Sequence, residues 1–343
     1  QSQSLHAATP ETGNLRVIRY PHDRLVRPMV EDLGRNKFIG TTAILTRTND
    51  EVLKADWHLR KEGISAKTVY GSAHVKLADL EEIKKFLAVL DSVDNQTIIS
   101  EALWNEAKKA FHRDFEQSAN YTICKELLLS FQTVNTKYKY RSDFEVFVQE
   151  SNIEDFIQTD EKEIVVSTLH KAKGKEFDHV ILLLGNFQPT DPEDRRLLYV
   201  GLSRAKHSLT IHYNNNFLQH LIVDDLQQVL EKKEYPFSDY LSFQLGYKDV
   251  NLGYFAFVQN RMEGLLAGSE LLVNEEGLSN QQNQTVLKFS KSFKEKLTSY
   301  FGKKYVMDRC VIQNIVIWKT DDEKEVRVIL PLISLVKCED GVK

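Results

Sequence analysis

The stretch IVVSTLHKAKGKEFDHVILLL, residues 164–184, predicts the fold of this chain. Both ends, Ile164–Val166 and Val180–Leu184, are short runs of apolar side chains. A run that is apolar throughout is typical of a strand buried on both faces of a parallel sheet. The polar residues between the runs then form a loop at the carboxyl end of a strand, where open α/β sheets bind ligands.

The flanking sequence alternates between strand-like and helix-like segments, a pattern that predicts a parallel α/β sheet. Asn49 is a good N-cap and Gly63 a natural stop for one of the helices. The predicted strands are Thr42–Leu45, Lys67–Tyr70 and Ser208–Tyr213, and the predicted helices are Asn49–Gly63, one that begins at Asp79, and Asp194–Ala205.

The length of 343 residues favours about two domains. Residues 91–160 are mostly amphipathic and helical in pattern, which predicts a helical insertion in an α/β domain over 1–225. Residues 226–343 are predicted to form a β-rich (α+β) accessory domain. Its predicted elements are the strands Val311–Trp318 and Val326–Val336 and a helix from the cap Ser290 to the stop Gly302.

The composition is that of a globular protein, with 42% hydrophobic and 27% charged residues. It excludes a disordered tail, a collagen and a disulfide scaffold. Lys and Arg number 45 against 49 Asp and Glu, a net charge of −4, so any basic surface has to be local. Cys124, Cys310 and Cys338 are far apart and predict reduced thiols in a cytoplasmic protein.

No apolar run approaches the length of a membrane span, and the N-terminus has no signal-peptide pattern, so we expect no membrane partner. The sequence does not begin with Met. We therefore expect a fragment of a longer protein.

The loop Ser167–Phe177 carries hydroxyls, an imidazole, three lysines and the carboxylate of Glu176. Such groups suit phosphates and sugar hydroxyls, although a solvated loop would look the same. The segment Arg195–Lys206 places Arg196 and Arg204 eight residues apart, roughly 80° around a helix. Arginines beside an apolar stripe favour an anion, and a guanidinium is a usual partner of a transferring phosphoryl group.

Together these segments resemble motifs V and VI of UvrD/Rep-type superfamily 1 helicases. Motif V reads roughly T-L-H-x-A-K-G-x-E-F and matches residues 168–177, and motif VI reads roughly R-R-L-x-Y-V-x-x-T-R-A and matches residues 195–205, with Ser203 for the usual Thr. Residues 43–49 resemble the Y-R-T-N segment, with Thr46 in the aromatic position. The resemblance covers about residues 15–215.

The resemblance implies a RecA-like domain, the second of two that bind ATP between them and translocate on single-stranded DNA. It implies that Arg204 is the arginine finger, that Arg196 supports it, and that Gly174 and Glu176 bind ATP, Glu176 through the ribose. The DNA-binding residues that it implies are Thr168, His170, Arg47 and Asn49.

No G-x-x-x-x-G-K-[ST] phosphate loop occurs in the sequence, since Gly174-Lys175-Glu176 lacks both the hydroxyl and the preceding glycine. We therefore expect ATP and Mg²⁺ to be bound mainly by an upstream RecA-like domain, and this chain alone to be inactive. The expected partners are that domain and single-stranded or forked DNA.

Three questions stay open. The chain could be a non-catalytic nucleic-acid or protein interaction module, although the intact Arg204, Glu176 and His170 argue against decay. A helicase–nuclease ranks low because no acidic metal cluster is evident. Motif VI favours the 3′ to 5′ UvrD/Rep group, whereas His170–Ile181 resembles the 5′ to 3′ RecD-type group.

Two further tracts combine cations with aromatic residues. Lys137–Arg141 could bind a nucleic-acid strand or be a solvated turn. Val286–Arg309 has seven cations against two carboxylates, which could grip a DNA backbone or be a solvated lysine face.

Overall fold

The computed structural model describes residues 13–36, 38–69, 75–92, 97–156, 163–223, 225–320 and 322–338. The chain divides into two compact units. The first unit comprises Gln1–Tyr70 and Gln158–Ser238, and the second comprises Gly71–Ile157 and Asp239–Lys343.

Regular elements make up most of the described residues. The α-helices are α1 (Val26–Leu33), α2 (Asn49–Lys61), α3 (Glu81–Leu90), α4 (Glu101–Phe115), α5 (Tyr121–Val134), α6 (Arg141–Glu150), α7 (Pro192–Leu202), α8 (Leu252–Phe255) and α9 (Lys291–Phe301). The strands are β1 (Asn14–Arg19), β2 (Thr42–Thr46), β3 (Ala66–Val69), β4 (Ile98–Ile99), β5 (Lys139–Tyr140), β6 (Ile164–Thr168), β7 (Phe177–Leu184), β8 (Ala205–Tyr213), β9 (Gln227–Leu230), β10 (Tyr240–Gln244), β11 (Glu270–Val273), β12 (Gly277–Ser279), β13 (Thr285–Lys288), β14 (Tyr305–Lys319) and β15 (Glu325–Lys337).

The first unit is built on a seven-stranded sheet in the order β3-β6-β2-β7-β8-β1-β9. Every neighbouring pair of its strands is parallel, which confirms the predicted parallel α/β sheet. Helices α1 and α2 share a buried cluster with one face, including Ile44 and Ile181. Because side chains alternate along a strand, Leu182 points to the opposite face, where it lies close to Gly201 of α7.

Two predicted helix ends are wrong. The N-cap of α2 is Thr48 rather than Asn49, since the Thr48 hydroxyl accepts the amide of Glu51 in a capping box. Helix α7 ends at Leu202, short of the predicted Ala205. Residue 205 is already in β8, where Ala205 pairs with Phe177.

The second unit contains a six-stranded sheet in the order β10-β15-β14-β11-β12-β13. Its neighbouring strands are antiparallel, and the long β14–β15 hairpin is its centre, so the predicted β-rich region is confirmed. The predicted helix after Ser290 is observed as α9, with Ser290 as its cap.

This division differs from the predicted domains 1–225 and 226–343. The predicted insertion 91–160 packs with the C-terminal sheet, because one buried cluster contains apolar side chains from both. Trp104 and Phe144 from the helices belong to that cluster together with Val316 and Ile329 from the β14–β15 hairpin. Helical periodicity marks an apolar stripe but does not identify the surface that covers it.

The three thiols form no disulfide, and Cys124 and Cys310 are buried. Burial raises the pKa of Cys310 to about 12, so this thiol is protonated at neutral pH. Among the described residues, no helix has the length and apolar character needed to cross a membrane.

A buried ion pair joins the two segments of the second unit. Arg327 of β15 lies 2.8 Å from Glu81 of α3, and their side chains are 20% and 7% exposed. The Arg327 guanidinium also donates to the carbonyls of Met262 and Leu265. Loss of one partner would leave the other charge without compensation in a region that excludes water.

We expect Arg327→Met to lower the free energy of unfolding by about 3 kcal/mol, because Glu81 loses its cation. Urea unfolding followed by tryptophan fluorescence measures the change. The matched control is Arg309→Met, which breaks an exposed pair with Glu270 and should cost no more than about 1 kcal/mol. Equal losses in the two variants would contradict this assignment.

His212 in the first unit is buried beside β1. Its Nδ1 lies 2.9 Å from the Tyr20 hydroxyl, and its Nε2 lies 3.9 Å from the Asp32 carboxylate, which Arg16 holds. Burial lowers the pKa of His212 to about 4, opposed by the Asp32 carboxylate. The folded state therefore keeps this imidazole neutral at neutral pH.

Between pH 4 and 6.5 the unfolded chain binds a proton at His212 that the folded chain does not, so stability falls as pH falls through this window. From pH 7 to pH 5 the loss from this group is about 2 kcal/mol. His212→Asn can keep the hydrogen bond to Tyr20 and does not titrate. Between pH 7 and pH 5 this variant should therefore lose about 2 kcal/mol less stability than the parent protein. Urea unfolding at both pH values tests this, and parallel losses would refute it.

Candidate functional site

Sequence-predicted residues meet at the carboxyl edge of the central strands. Thr168 ends β6 and is the register partner of Thr46, which ends β2. Arg47 follows Thr46 directly and Asn49 begins α2 two residues later, so the fold brings both to the same edge of the sheet as Thr168. Thr168 is buried, and His170 is exposed on the 3₁₀ turn Leu169–Ala172 that begins at this edge.

The conformation at Arg47 is fixed by its neighbours. The Glu51 carboxylate accepts the amides of Arg47 and Thr48, both at 3.1 Å. Burial raises the pKa of Glu51, and these hydrogen bonds act against that shift. The Arg47 guanidinium lies over the Phe187 ring, 5.0 Å from its centroid, and donates to the Gly185 carbonyl at 3.4 Å.

Thr46 departs from the aromatic that the Y-R-T-N segment carries at this position. Its side chain is fully buried, and its hydroxyl donates to the Thr48 carbonyl at 2.9 Å. A fully buried threonine cannot stack on a base, so this position makes no such contact here.

The loop after the 3₁₀ turn leads to the opposite edge of the sheet. Gly174 has φ +80°, in the left-handed region that favours glycine, and among the described residues beyond its two chain neighbours no heavy atom lies within 4 Å of the place a Cβ would take. The next residues, Lys175 and Glu176, precede Phe177, the first residue of β7. Motif V therefore begins at the carboxyl edge and ends at the amino edge.

Arg204 fastens this loop to the end of α7. Its Nη1 donates to the Lys175 carbonyl and its Nε to the Val200 carbonyl, both at 2.9 Å. Its Nη2 donates to the Ser203 hydroxyl at 2.9 Å, and its own carbonyl accepts the Phe177 amide at 2.9 Å. Arg204 thus caps a helix and holds a loop through one planar group.

Glu176 and Lys206 lie on the surface beside this junction. The Lys206 ammonium is 3.7 Å from the Glu176 carboxylate, and the side chains are 50% and 61% exposed. The pair is accessible to a bound molecule. Gly174, Glu176 and Arg204 are therefore brought together at the amino edge.

Arg196 is not among the hydrogen-bond partners of Arg204, and its predicted support of the site stays a prediction. It is exposed on α7, whereas Arg204 lies beyond the helix end. Within the described residues Arg196 makes no hydrogen bond or ion pair. The partners of the Arg204 guanidinium are two carbonyls and a hydroxyl, and the expected anion stays a prediction.

The apolar side of α7 is more open than the sequence pattern indicated. Gly201 is the helix's buried residue, while Tyr199 and Leu202 are 52% and 37% exposed. A Cβ on Gly201 would lie 2.6 Å from a methyl carbon of Leu169. This glycine lets α7 pack directly on the 3₁₀ turn of motif V.

Sequence reasoning missed Phe187 and Lys206 and gave Ser203 no role of its own. Phe187 contacts Arg47 because β7 and β2 are neighbours, and no local pattern reports that adjacency. Lys206 lies two residues after Arg204 and could have been noted from the sequence. Among the described residues, no group of three His, Cys, Asp or Glu side chains could hold a metal ion.

Comparison with known proteins matches this region to helicases. Residues 163–212 match the family model of the UvrD-like helicase C-terminal domain, a stretch that contains both motifs and ends before Tyr213. The predicted resemblance to UvrD-type helicases is thereby confirmed for this stretch. Arg47 and Asn49 lie outside it.

A curated relative points the same way. The chain is 26% identical over 156 residues to the "Putative ATP-dependent DNA helicase YjcD" of Bacillus subtilis (strain 168). The match covers 39% of this chain and 20% of that protein, so the chain spans about a fifth of the relative's length. These two matches support a helicase-related role.

A solved structure, that of VirB4 of Thermoanaerobacter pseudethanolicus, matches with 12% identity and a TM-score of 0.27. The match covers 63% of this chain and 76% of the VirB4 chain. That score is too low to establish a shared fold.

Arg204→Lys should loosen the motif V loop, because an ammonium cannot reach the Lys175 carbonyl, the Val200 carbonyl and the Ser203 hydroxyl with one planar geometry. We expect faster amide exchange over residues 173–177 and a loss of about 2 kcal/mol in local stability. Hydrogen–deuterium exchange with mass spectrometry measures it. Arg196→Lys is the control, and the same change in both variants would speak against the assigned role.

Proposed function

We propose that this chain is the C-terminal lobe of an ATP-dependent DNA helicase. In this proposal Arg204, supported by Arg196, contacts the γ-phosphate of ATP. Glu176 and Gly174 bind the rest of the nucleotide. The single-stranded DNA is held at the carboxyl edge of the sheet by Thr168, His170, Arg47 and Asn49.

One observation carries the proposal: the two groups of residues lie at opposite ends of a single connection. Thr168 is level with Thr46, whereas Phe177 precedes His179, the partner of Thr42. The two ends of the loop are thus about six residues apart along the strands, or roughly 20 Å. A movement at the nucleotide end is transmitted to the DNA end through eight residues.

Arg204 has enough hydrogen-bond donors to hold the motif V loop and to bind a phosphate at the same time. A guanidinium carries five N–H donors, and three of them are used by Val200, Lys175 and Ser203. The remaining two are available to phosphate oxygens without loss of the loop contacts. A cation that holds motif V and binds a phosphate makes the position of the loop depend on the nucleotide.

In this proposal ATP and Mg²⁺ are bound mainly by an upstream RecA-like lobe that carries the phosphate loop. The chemistry that the bound nucleotide supplies is release of its γ-phosphate. This chain contributes the positive charge of Arg204 and the polar contacts of Glu176. Lys206, 3.7 Å from Glu176, adds a second cation near the site.

The test uses the complete two-lobed protein. Arg204→Ala should lower kcat for ATP hydrolysis at least 1,000-fold, as expected for an arginine finger, with single-stranded DNA affinity within about twofold of the parent. Arg47→Ala should weaken that affinity about tenfold, since it removes a charge-assisted contact. Steady-state ATPase assays and fluorescence anisotropy supply the measurements.

The control is Arg195→Ala, because Arg195 is exposed on the same helix and donates to the Pro189 and Thr190 carbonyls. It should leave both activities unchanged. Full turnover by Arg204→Ala would refute the catalytic role. A protein that binds DNA through Arg47 yet never hydrolyses ATP would instead be the interaction module.

A further inference from the structure

Helix α9 presents lysines in a part of the molecule that the proposed function does not use. Lys291 and Lys294 are one turn apart on the helix and exposed, and Lys303 follows its C-terminal end and is also exposed. Phe293 and Leu297 are the buried residues of α9 and anchor it to the core. We call Lys291, Lys294 and Lys303 the α9 lysine face.

The charges of this face are not neutralised by ion pairs. The neighbouring cations Lys288 and Arg309 pair with Glu276 and Glu270. Within the described residues, Lys291, Lys294 and Lys303 form no salt bridge. Lys303 lies over the Tyr300 ring, 5.7 Å from its centroid. The charge of Lys294 helps to lower the pKa of Glu276 without forming an ion pair with it.

The surrounding carboxylates are few. Glu295 is on α9 itself, four residues after Lys291. A helical ion pair is weaker when the lysine precedes the glutamate than when it follows it. Among the described residues the two form no ion pair. Glu276 already binds Lys288. In a chain with a net charge of −4, seven cations and two carboxylates fall between Val286 and Arg309.

The chemistry of the face fits a phosphate backbone. Lysines are point charges that contact phosphates without reading bases, and no arginine lies on α9 or directly after it. Most aromatic side chains of this helix are committed to the core, so the face offers charge more than stacking.

We propose that the α9 lysine face binds the phosphate backbone of DNA, as a second contact separate from the carboxyl edge of the parallel sheet. The choice of DNA as the polyanion rests on the proposed function. The contact is independent of sequence and supplies affinity that depends on salt.

The experiment compares two triple variants of the full chain that remove equal charge. Lys291→Gln, Lys294→Gln and Lys303→Gln remove the face. Lys109→Gln, Lys319→Gln and Lys324→Gln remove three exposed lysines elsewhere in the second unit. Fluorescence anisotropy with a single-stranded and a duplex oligonucleotide across a salt series gives the slope of log K against log salt.

We expect the α9 triple variant to flatten the slope by about 2.7 with duplex or about 2.1 with single strands, whichever the face binds, and the control triple to leave it unchanged. Unchanged slopes on both DNAs, or equal changes in the two triples, would overturn the proposal. Circular dichroism confirms that both variants are folded.

Arg47→Ala measured in parallel separates this proposal from the function on which it rests. If Arg47→Ala weakens binding and the α9 triple variant does not, only the lysine face is refuted. If the α9 triple variant flattens the slope and Arg47→Ala has no effect, the lysine face stands and the DNA site at the carboxyl edge is refuted.

Discussion

The hydrogen bonds of one guanidinium organise the candidate site. Arg204 joins the last turn of α7 to the loop that ends motif V, through the Val200 and Lys175 carbonyls. Gly201 allows the same helix to rest on the start of that motif at Leu169. Motif VI therefore contacts motif V near both of its ends.

The centre of the first unit was predictable because strands β6, β2 and β7 are largely apolar and buried. A run such as Val180–Leu184 is typical of the centre of a parallel sheet. Which segments of the chain form the second unit was not predictable in the same way. Trp104 and Phe144 lie on stripes that any apolar surface could cover, and their contact with Val316 spans a sequence separation that no local pattern reports.

The site was predictable as a set of residues and less so as a geometry. Thr168, Arg47 and Asn49 lie at one edge because β2 and β6 are neighbours in register, an adjacency that no local pattern reports. Helical spacing relates Arg196 to Arg204 only while the helix continues, and α7 ends between them. Helix ends depend on a few hydrogen bonds, so they are the least certain part of any such prediction.

The acidic net charge of the chain is compatible with two separate nucleic-acid contacts because charge acts locally in salt water. At physiological ionic strength, exposed charges are screened over about 8 Å, so a distant carboxylate does not cancel a lysine on α9. What matters is the ion pairing of each cation within that distance. Lys288 and Arg309 are paired, whereas Lys291 is not. Within the part of the chain that the structure describes, the local charge at each lysine therefore depends on its ion pairing rather than on the sum over the chain.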